Sequence, residues 1–188
     1  IEMWRRAFAG QPAQNVSLLA LGGYGRKDLF PFSDIDVLFA FADEKTEEQT
    51  REAVRAIIQA MGDIGLRASP CSRTVKEAGR FDPDNLEFTL ATLDRRFLAG
   101  QFPLYQQLHQ VVFPGLVLSE WTAITQKLSE IARARHAKYG NTIFHLEPNL
   151  KECPGGLRDY HLAVWFAVLF HLKEMKEWPR QRGGVFQS

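Results

Sequence analysis

Two short, mostly apolar runs mark the first part of the chain, and helical stripes mark the second. Val16 to Leu21 is the first run, ended by Gly22-Gly23, and Ile35 to Phe41 is the second, rich in β-formers and closed by Asp43. Runs of this length bounded by turn residues predict buried strands. Between them lies a basic, glycine-rich loop. Thr46 to Met61 carries Ala53, Val54, Ile57, Ile58 and Met61 on one stripe, with Glu47, Glu48 and Arg51 facing out. That spacing predicts an amphipathic helix, stopped by Gly62 and Gly65. Leu66 to Ser72 predicts a third strand of weak alternation, and Thr74-Val75-Lys76-Glu77 has the capping-box spacing of a short helix. Asn85 to Leu98 reads equally as a helix or as a helix running into a strand. From Phe102 onward the pattern is helical. Ser119 is placed to cap a helix from Glu120 to Tyr139, with Ile124, Leu128 and Ile131 inward and Gly140 as its stop. Asn141 to Pro154 reads as irregular. A last helix, Leu157 to about Trp178, sets Leu162, Trp165, Phe166 and Leu169 on its buried side. The expectation is an α+β chain: a small sheet with its helices over residues 1–101, then a helical segment over 102–188.

Composition narrows the class. Apolar residues make up 45% and charged residues 24%, which excludes a disordered tail or a low-complexity array. Lys+Arg is 23 against 22 Asp+Glu, a net charge of +1, so no broad nucleic-acid face is expected. No apolar run approaches the roughly 18 residues of a membrane helix. The best candidate, Leu162 to Leu172, is short and contains His171. Cys71 and Cys153 fit neither a disulfide scaffold nor a zinc site, which makes a reducing cytoplasmic setting the default. The chain opens on Ile1 with Trp4 and Phe8 already one turn apart, and closes soon after Gly183-Gly184. It is expected to be a piece of something longer.

The chemistry concentrates in Gly22-Gly23-Tyr24-Gly25-Arg26 and Ser33-Asp34-Ile35-Asp36. Side chains at i and i+2 of a strand share a face, so Asp34 and Asp36 point the same way, with Ile35 turned to the core. Two carboxylates so placed repel unless a cation lies between them. Hard oxygen ligands suit Mg²⁺. The glycines offer backbone amides without an intervening Cβ, which suits phosphate oxygens, and Arg26 and Lys27 add positive charge. Two acids at the mouth of an apolar, β-rich run are costly without a purpose. A phosphate cradle beside a metal-holding pair is the equipment of nucleotidyl transfer. Taken singly, Arg26 and Lys27 read as well as solvated loop charges.

Gly22-Gly23, a spacer, then Asp34-x-Asp36 resembles the DNA polymerase β-like nucleotidyltransferase superfamily. The longer stretch Gly22-Gly23-Tyr24-Gly25-Arg26-Lys27-Asp28-Leu29-Phe30-Pro31-Phe32-Ser33-Asp34-Ile35-Asp36 resembles one branch, the protein-PII uridylyltransferase/uridylyl-removing enzymes of bacterial nitrogen signalling. Leu146-Glu147-Pro148-Asn149-Leu150-Lys151-Glu152 with Pro154-Gly155-Gly156-Leu157-Arg158-Asp159 is a second matching block, and Leu93-Asp94-Arg95-Arg96-Phe97-Leu98-Ala99-Gly100 a weaker third. The resemblance implies the small mixed sheet of that superfamily and transfer of UMP from UTP to a tyrosine of a PII signal protein, with Mg²⁺. Gly22 and Gly23 would hold the triphosphate and Asp34 and Asp36 the metals. Ser33, Arg26, Lys27, Lys151 and Arg158 are the further nucleotide-binding candidates. Family members continue into a His-Asp phosphohydrolase domain. None of the five histidines here is followed by Asp, so the removing activity is not expected in this chain.

The chain departs from the branch on its third strand. Arg67 stands where the branch usually has an acid, and Pro70-Cys71 where His-Ser is expected. Arg67 cannot ligate a metal. Asp94, an acidic position of the third block, is the alternative third carboxylate, and Glu87 a weaker one. Lys151 and Arg158 flank a Pro-Gly-Gly turn, where Arg158 could equally pair with Asp159. His145 and His161 read as structural, Cys153 as an inert thiol, and Trp165 and Phe166 as core. Two other readings stay open: a catalytically silent nucleotide-binding module, favoured by Arg67, and a nucleotidyltransferase with another acceptor or another nucleoside triphosphate.

Overall fold

A computed structural model describes residues 2–9, 14–144, 146–147 and 149–179. It divides into two compact units, residues 1–113 and 114–188. The first is built on a four-stranded mixed sheet in the order β3-β2-β1-β4. β1 (Val16–Ala20) and β2 (Ile35–Phe41) pair antiparallel, with Val16 opposite Phe41 and Ala20 opposite Val37. β3 (Ala68–Thr74) lies parallel to β2, and β4 (Arg96–Gly100) antiparallel to β1. A parallel pair needs a crossover. The helix α3 (Glu44–Asp63) supplies it, after α1 (Glu2–Ala7) and the short α2 (Gly22–Arg26).

Alternation along β2 divides its side chains between two cores. Val37, Phe39 and Phe41 pack with Trp4, Phe8, Val16 and the α3 stripe Ala53, Val54, Ile57 and Met61. Leu38 and Ala40 face the other way, with Leu19, Leu21, Ala78, Leu108 and Phe113. Both faces are covered, which is why β1 and β2 read as continuous apolar runs. The second core takes in α6 (Phe102–Gln107) through Tyr105, and the π-turn Leu108–Val112 through Leu108. These packed side chains carry the first unit on to residue 113, whereas the change of sequence pattern fell at 101/102.

Local signals explain the element ends. Asp43 caps α3, its Oδ1 accepting from the Thr46 amide at 2.7 Å, so the helix starts two residues before the expected Thr46. The capping box forms in full ahead of α4 (Val75–Ala78): the Thr74 hydroxyl accepts from the Glu77 amide at 3.2 Å, and Glu77 accepts from the Thr74 amide at 2.9 Å. The ambiguous segment proves to be helix then strand. α5 (Leu86–Leu93) is capped by Asn85, and the chain turns at Asp94-Arg95 into β4. β3 begins at Ala68 rather than Leu66, because the Leu66 amide still bonds the Met61 carbonyl at the end of α3. An edge strand tolerates Pro70, which lacks an amide.

The second unit holds most of α7 (Phe113–Ser119), then α8 (Trp121–Lys138) and α9 (Leu157–Met175), with turns between the last two. Three details differ from the sequence expectation. Ser119 does not cap α8; its hydroxyl donates to the Leu116 carbonyl at 3.0 Å. Ile124 and Leu128 are buried, but Ile131 is 41% exposed. The buried face of α9 is His161, Val164, Val168, Leu169 and Leu172, while Leu162, Trp165 and Phe166 are half-buried. Among the described residues, no helix is long and apolar enough to cross a membrane. The capping box yields a direct check: Thr74→Ala removes the hydroxyl that accepts from the Glu77 amide, leaving the backbone half of the box, and should destabilise the first unit by about 1 kcal/mol in urea unfolding.

Candidate active site

The glycine turn and the Asp36 carboxylate meet at the head of β2. The Leu21 amide donates to the Asp36 carbonyl at 2.9 Å, fixing the start of α2 beside β2. Gly22 then adopts φ +51°, and a Cβ built on it would stand 3.1 Å from Asp36 Oδ2. The bare backbone therefore lies against the carboxylate. The Gly25 amide closes the turn on the Leu21 carbonyl at 2.8 Å, and the Asp28 amide bonds the Gly23 carbonyl at 2.9 Å. By strand alternation Asp34 and Asp36 share the face of Leu38 and Ala40. Asp34 is exposed and Asp36 half-buried, ahead of fully buried Leu38.

The other candidates are placed as follows. Ser33 closes the loop before Asp34: its hydroxyl accepts from the Phe30 amide at 3.1 Å, and its amide donates to the Phe30 carbonyl at 3.0 Å. Lys27 is exposed and ends α2 in the left-handed conformation, φ 68°. Arg26 is mostly buried and ion-paired to Asp94, with its Nε 3.4 Å from Asp28 Oδ2. Asp94, the C-cap of α5, has no exposed side-chain surface. Glu87 is exposed in the first turn of α5. Arg67 is exposed on the approach to β3, and its carbonyl accepts from the Ile35 amide at 2.8 Å. Among the described residues, no group of three or more His, Cys, Asp or Glu is placed to hold a metal ion. A cavity of about 440 Å³ lies away from the carboxylate pair, lined by residues that include Arg73, Arg80, Asn85 and Phe88.

Sequence reasoning missed Arg96 and the strict need for Gly25. Arg96 Nη2 donates to the Tyr24 carbonyl at 2.8 Å and its Nε to the Gly25 carbonyl at 3.3 Å. A Cβ on Gly25 would overlap the Asp94 carbonyl group. The available signal was an arginine opening a strand that follows a buried acid.

In the second unit the Pro-Gly-Gly turn is tied by Asp159. Its carboxylate takes Arg135, His136 Nε2 at 2.8 Å and the Gly155 amide at 2.6 Å. Burial opposes its ionisation, but the hydrogen bonds from Arg135, His136 and Gly155 outweigh that and hold it down at about 2. Arg158 pairs with Glu152 at 3.3 Å, not with Asp159, and Lys151 is exposed. Cys153 is buried, its Sγ accepting from the Asn149 amide at 3.1 Å. Burial also pushes the Cys71 thiol up. His161 is buried on α9, and His145 lies outside the described residues.

Comparison with known proteins meets this geometry at both motif blocks. Residues 1–78 match the family described as putative nucleotidyltransferase DUF294, and residues 122–186 the family described as GlnD PII-uridylyltransferase. The bifunctional uridylyltransferase/uridylyl-removing enzyme of Pasteurella multocida is 35% identical over 167 residues, 89% of this chain and 19% of that protein. Its counterpart in Stutzerimonas stutzeri is 38% identical over 166 residues, 87% of this chain and 18% of that protein. This is a nucleotidyltransferase-type chain that resembles the PII uridylyltransferases. The chain spans about a fifth of the length of these relatives. The block 22–36 lies in the first matched segment and Asn149–Asp159 in the second, while Leu93–Gly100 lies in neither.

Two outcomes follow from these contacts. Gly25→Ala should destabilise the first unit by about 3 kcal/mol, because backbone rather than a flexible side chain must give way, as urea unfolding would measure. Asp159 has a folded pKa below its unfolded value, so its contribution is present above about pH 4 and is lost as pH falls toward 2. Thermal melts of wild type and Asp159→Asn should differ by about 1 kcal/mol at pH 6 and converge near pH 2.

Proposed function

We propose that this chain transfers UMP from UTP to a tyrosine hydroxyl of a PII-type signal protein, with Mg²⁺. The observation that carries the reading is the bare Gly22 backbone held against the Asp36 carboxylate at the head of β2. The names of the relatives support the uridylyl group, and the matched PII-uridylyltransferase description supports the acceptor. A cytoplasmic setting accords with two free thiols.

The residues present fit the metal. Mg²⁺ is usually held by one or two carboxylates plus substrate phosphates and water, rather than by an all-protein cage. Asp34 and Asp36 supply the carboxylates, and the absence of a third acidic neighbour among the described residues suits an ion that arrives with the triphosphate. When bound, Mg²⁺ supplies charge neutralisation at the transferring phosphate and the leaving pyrophosphate. The chain's own part is to bind and orient. Gly22 and Gly23 let phosphate oxygens approach the backbone without meeting a Cβ. Lys27, exposed at the end of the same turn, adds charge of the right sign. The acceptor oxygen gives its proton to water and bonds to the α-phosphorus, while the α–β bridge breaks and pyrophosphate leaves with the electron pair. Ser33 holds the loop that leads into Asp34.

A second reading, the silent nucleotide-binding module, is favoured by one observation. Ile35 pairs with Ala68, which puts Arg67 beside Asp34, where the resemblance expects an acid. One pair of assays on the full-length protein separates the two: UTP binding by calorimetry, and Mg²⁺-dependent label transfer from UTP to a PII protein. Wild type should transfer label. Asp36→Ala should lower transfer by about a thousandfold or more with unfolding unchanged, because a group acting on the transition state is lost. UTP binding without transfer, with transfer restored by Arg67→Glu, would establish the silent module instead.

A further inference from the structure

Building on the nucleotidyl-transfer reading, we propose that Asp94 and Arg96 are positioning residues that clasp the glycine turn against Asp36, and that Asp94 does not ligate metal. The clasp works through three consecutive residues of the turn. Arg96 donates to the Tyr24 carbonyl at 2.8 Å and lies 5.2 Å over the Tyr24 ring. Arg96 also donates to the Gly25 carbonyl at 3.3 Å, and the Asp94 carbonyl occupies the space that a Gly25 side chain would fill. The Arg26 guanidinium pairs with the Asp94 carboxylate from one side and reaches Asp28 at 3.4 Å from another. Carbonyls at a helix end need donors from elsewhere, and Arg96 provides them in a helix of only five residues.

The sheet makes this clasp rigid. Ala20 pairs with Arg96 across β1 and β4, and Gly22 follows Ala20 by two residues. The turn and the corner that holds it therefore spring from adjacent ladder positions. The charges point the same way. The Asp94 side chain has no exposed surface, and a carboxylate so buried depends on its cation. To ligate Mg²⁺ it would have to give up Arg26 and release the turn that carries the phosphate cradle.

The test uses the full-length protein with Asp94→Asn, Arg26→Gln, the double variant, and Arg96→Gln, which loosens the turn from the other side. The steady-state arm measures UTP and Mg²⁺ dependence of transfer. Each single variant should raise KM for UTP about tenfold or more while kcat at saturating UTP stays within about threefold. The Mg²⁺ concentration for half-maximal rate should not move. The double variant Asp94→Asn/Arg26→Gln should be no worse than the worse single variant, since both break one contact. The second arm is amide exchange: residues 22–28 should exchange about tenfold faster in Asp94→Asn and Arg96→Gln, with β2 unchanged. A loss of kcat of about a hundredfold in Asp94→Asn, with UTP KM unchanged and a raised Mg²⁺ requirement, would make Asp94 a metal ligand and overturn the proposal. Unchanged exchange over 22–28 would overturn it as well. Should wild type transfer no label, the uridylyl reading falls by itself, and the exchange arm still decides whether the clasp exists.

Discussion

A backbone turn can offer bare amides beside a carboxylate only if something holds it down. Here that hold is the close approach of Gly25 to the Asp94 carbonyl. The approach requires glycine at one position and a chain corner at the other. The corner exists because α5 stops at Asp94 and the chain returns at once as β4, paired to β1. One contact thus couples the third block of the sequence to the first, and the local shape of the phosphate-binding candidates depends on a segment far along the chain.

The carboxylate pair uses a different device. Exposure falls steadily along one face of β2, from exposed Asp34 through half-buried Asp36 to fully buried Leu38. The charges stand where the second core runs out, so they escape most of the desolvation cost of a buried ion while the strand behind them stays rigid. Ile35, between them, packs toward the first core. Alternation does the rest, because a slip of one residue would turn both carboxylates into the opposite core.

What could be read from the sequence follows from these causes. β2 was legible residue for residue, since a strand covered on both faces is apolar along nearly its whole length, Asp36 alone excepted. The start of β3 was not, because an edge strand with exposed Ser69 and Pro70 carries no burial pattern to read. α9 was placed correctly but its inner face was not, because Leu162, Trp165, Phe166 and Phe170 make it apolar on several sides, and periodicity cannot choose between faces. That Gly22 and Asp36 would meet was legible in the order of an apolar strand, Gly-Gly, then Asp-x-Asp opening the next strand. The Arg26–Asp94 pair was not, because two residues brought together by a β-ladder leave no periodic trace in the sequence.

Arg67 bears on whether the site can work. It stands on the exposed approach to an edge strand, where packing asks little of a side chain. Its identity is therefore not explained by folding, and a basic residue there has a chemical consequence or none. Its effect on Asp34 is bounded by solvent: two unit charges 4 Å apart in water interact by about 1 kcal/mol, and salt screens that further. A guanidinium so exposed competes weakly with a divalent ion for an exposed carboxylate. On the proposed reading, an arginine where the resemblance expects an acid offers one ligand fewer, but its charge has the right sign to meet a phosphate. If the proposed transfer holds, this electrostatic argument has Arg67 shift the balance between binding and turnover rather than close the site.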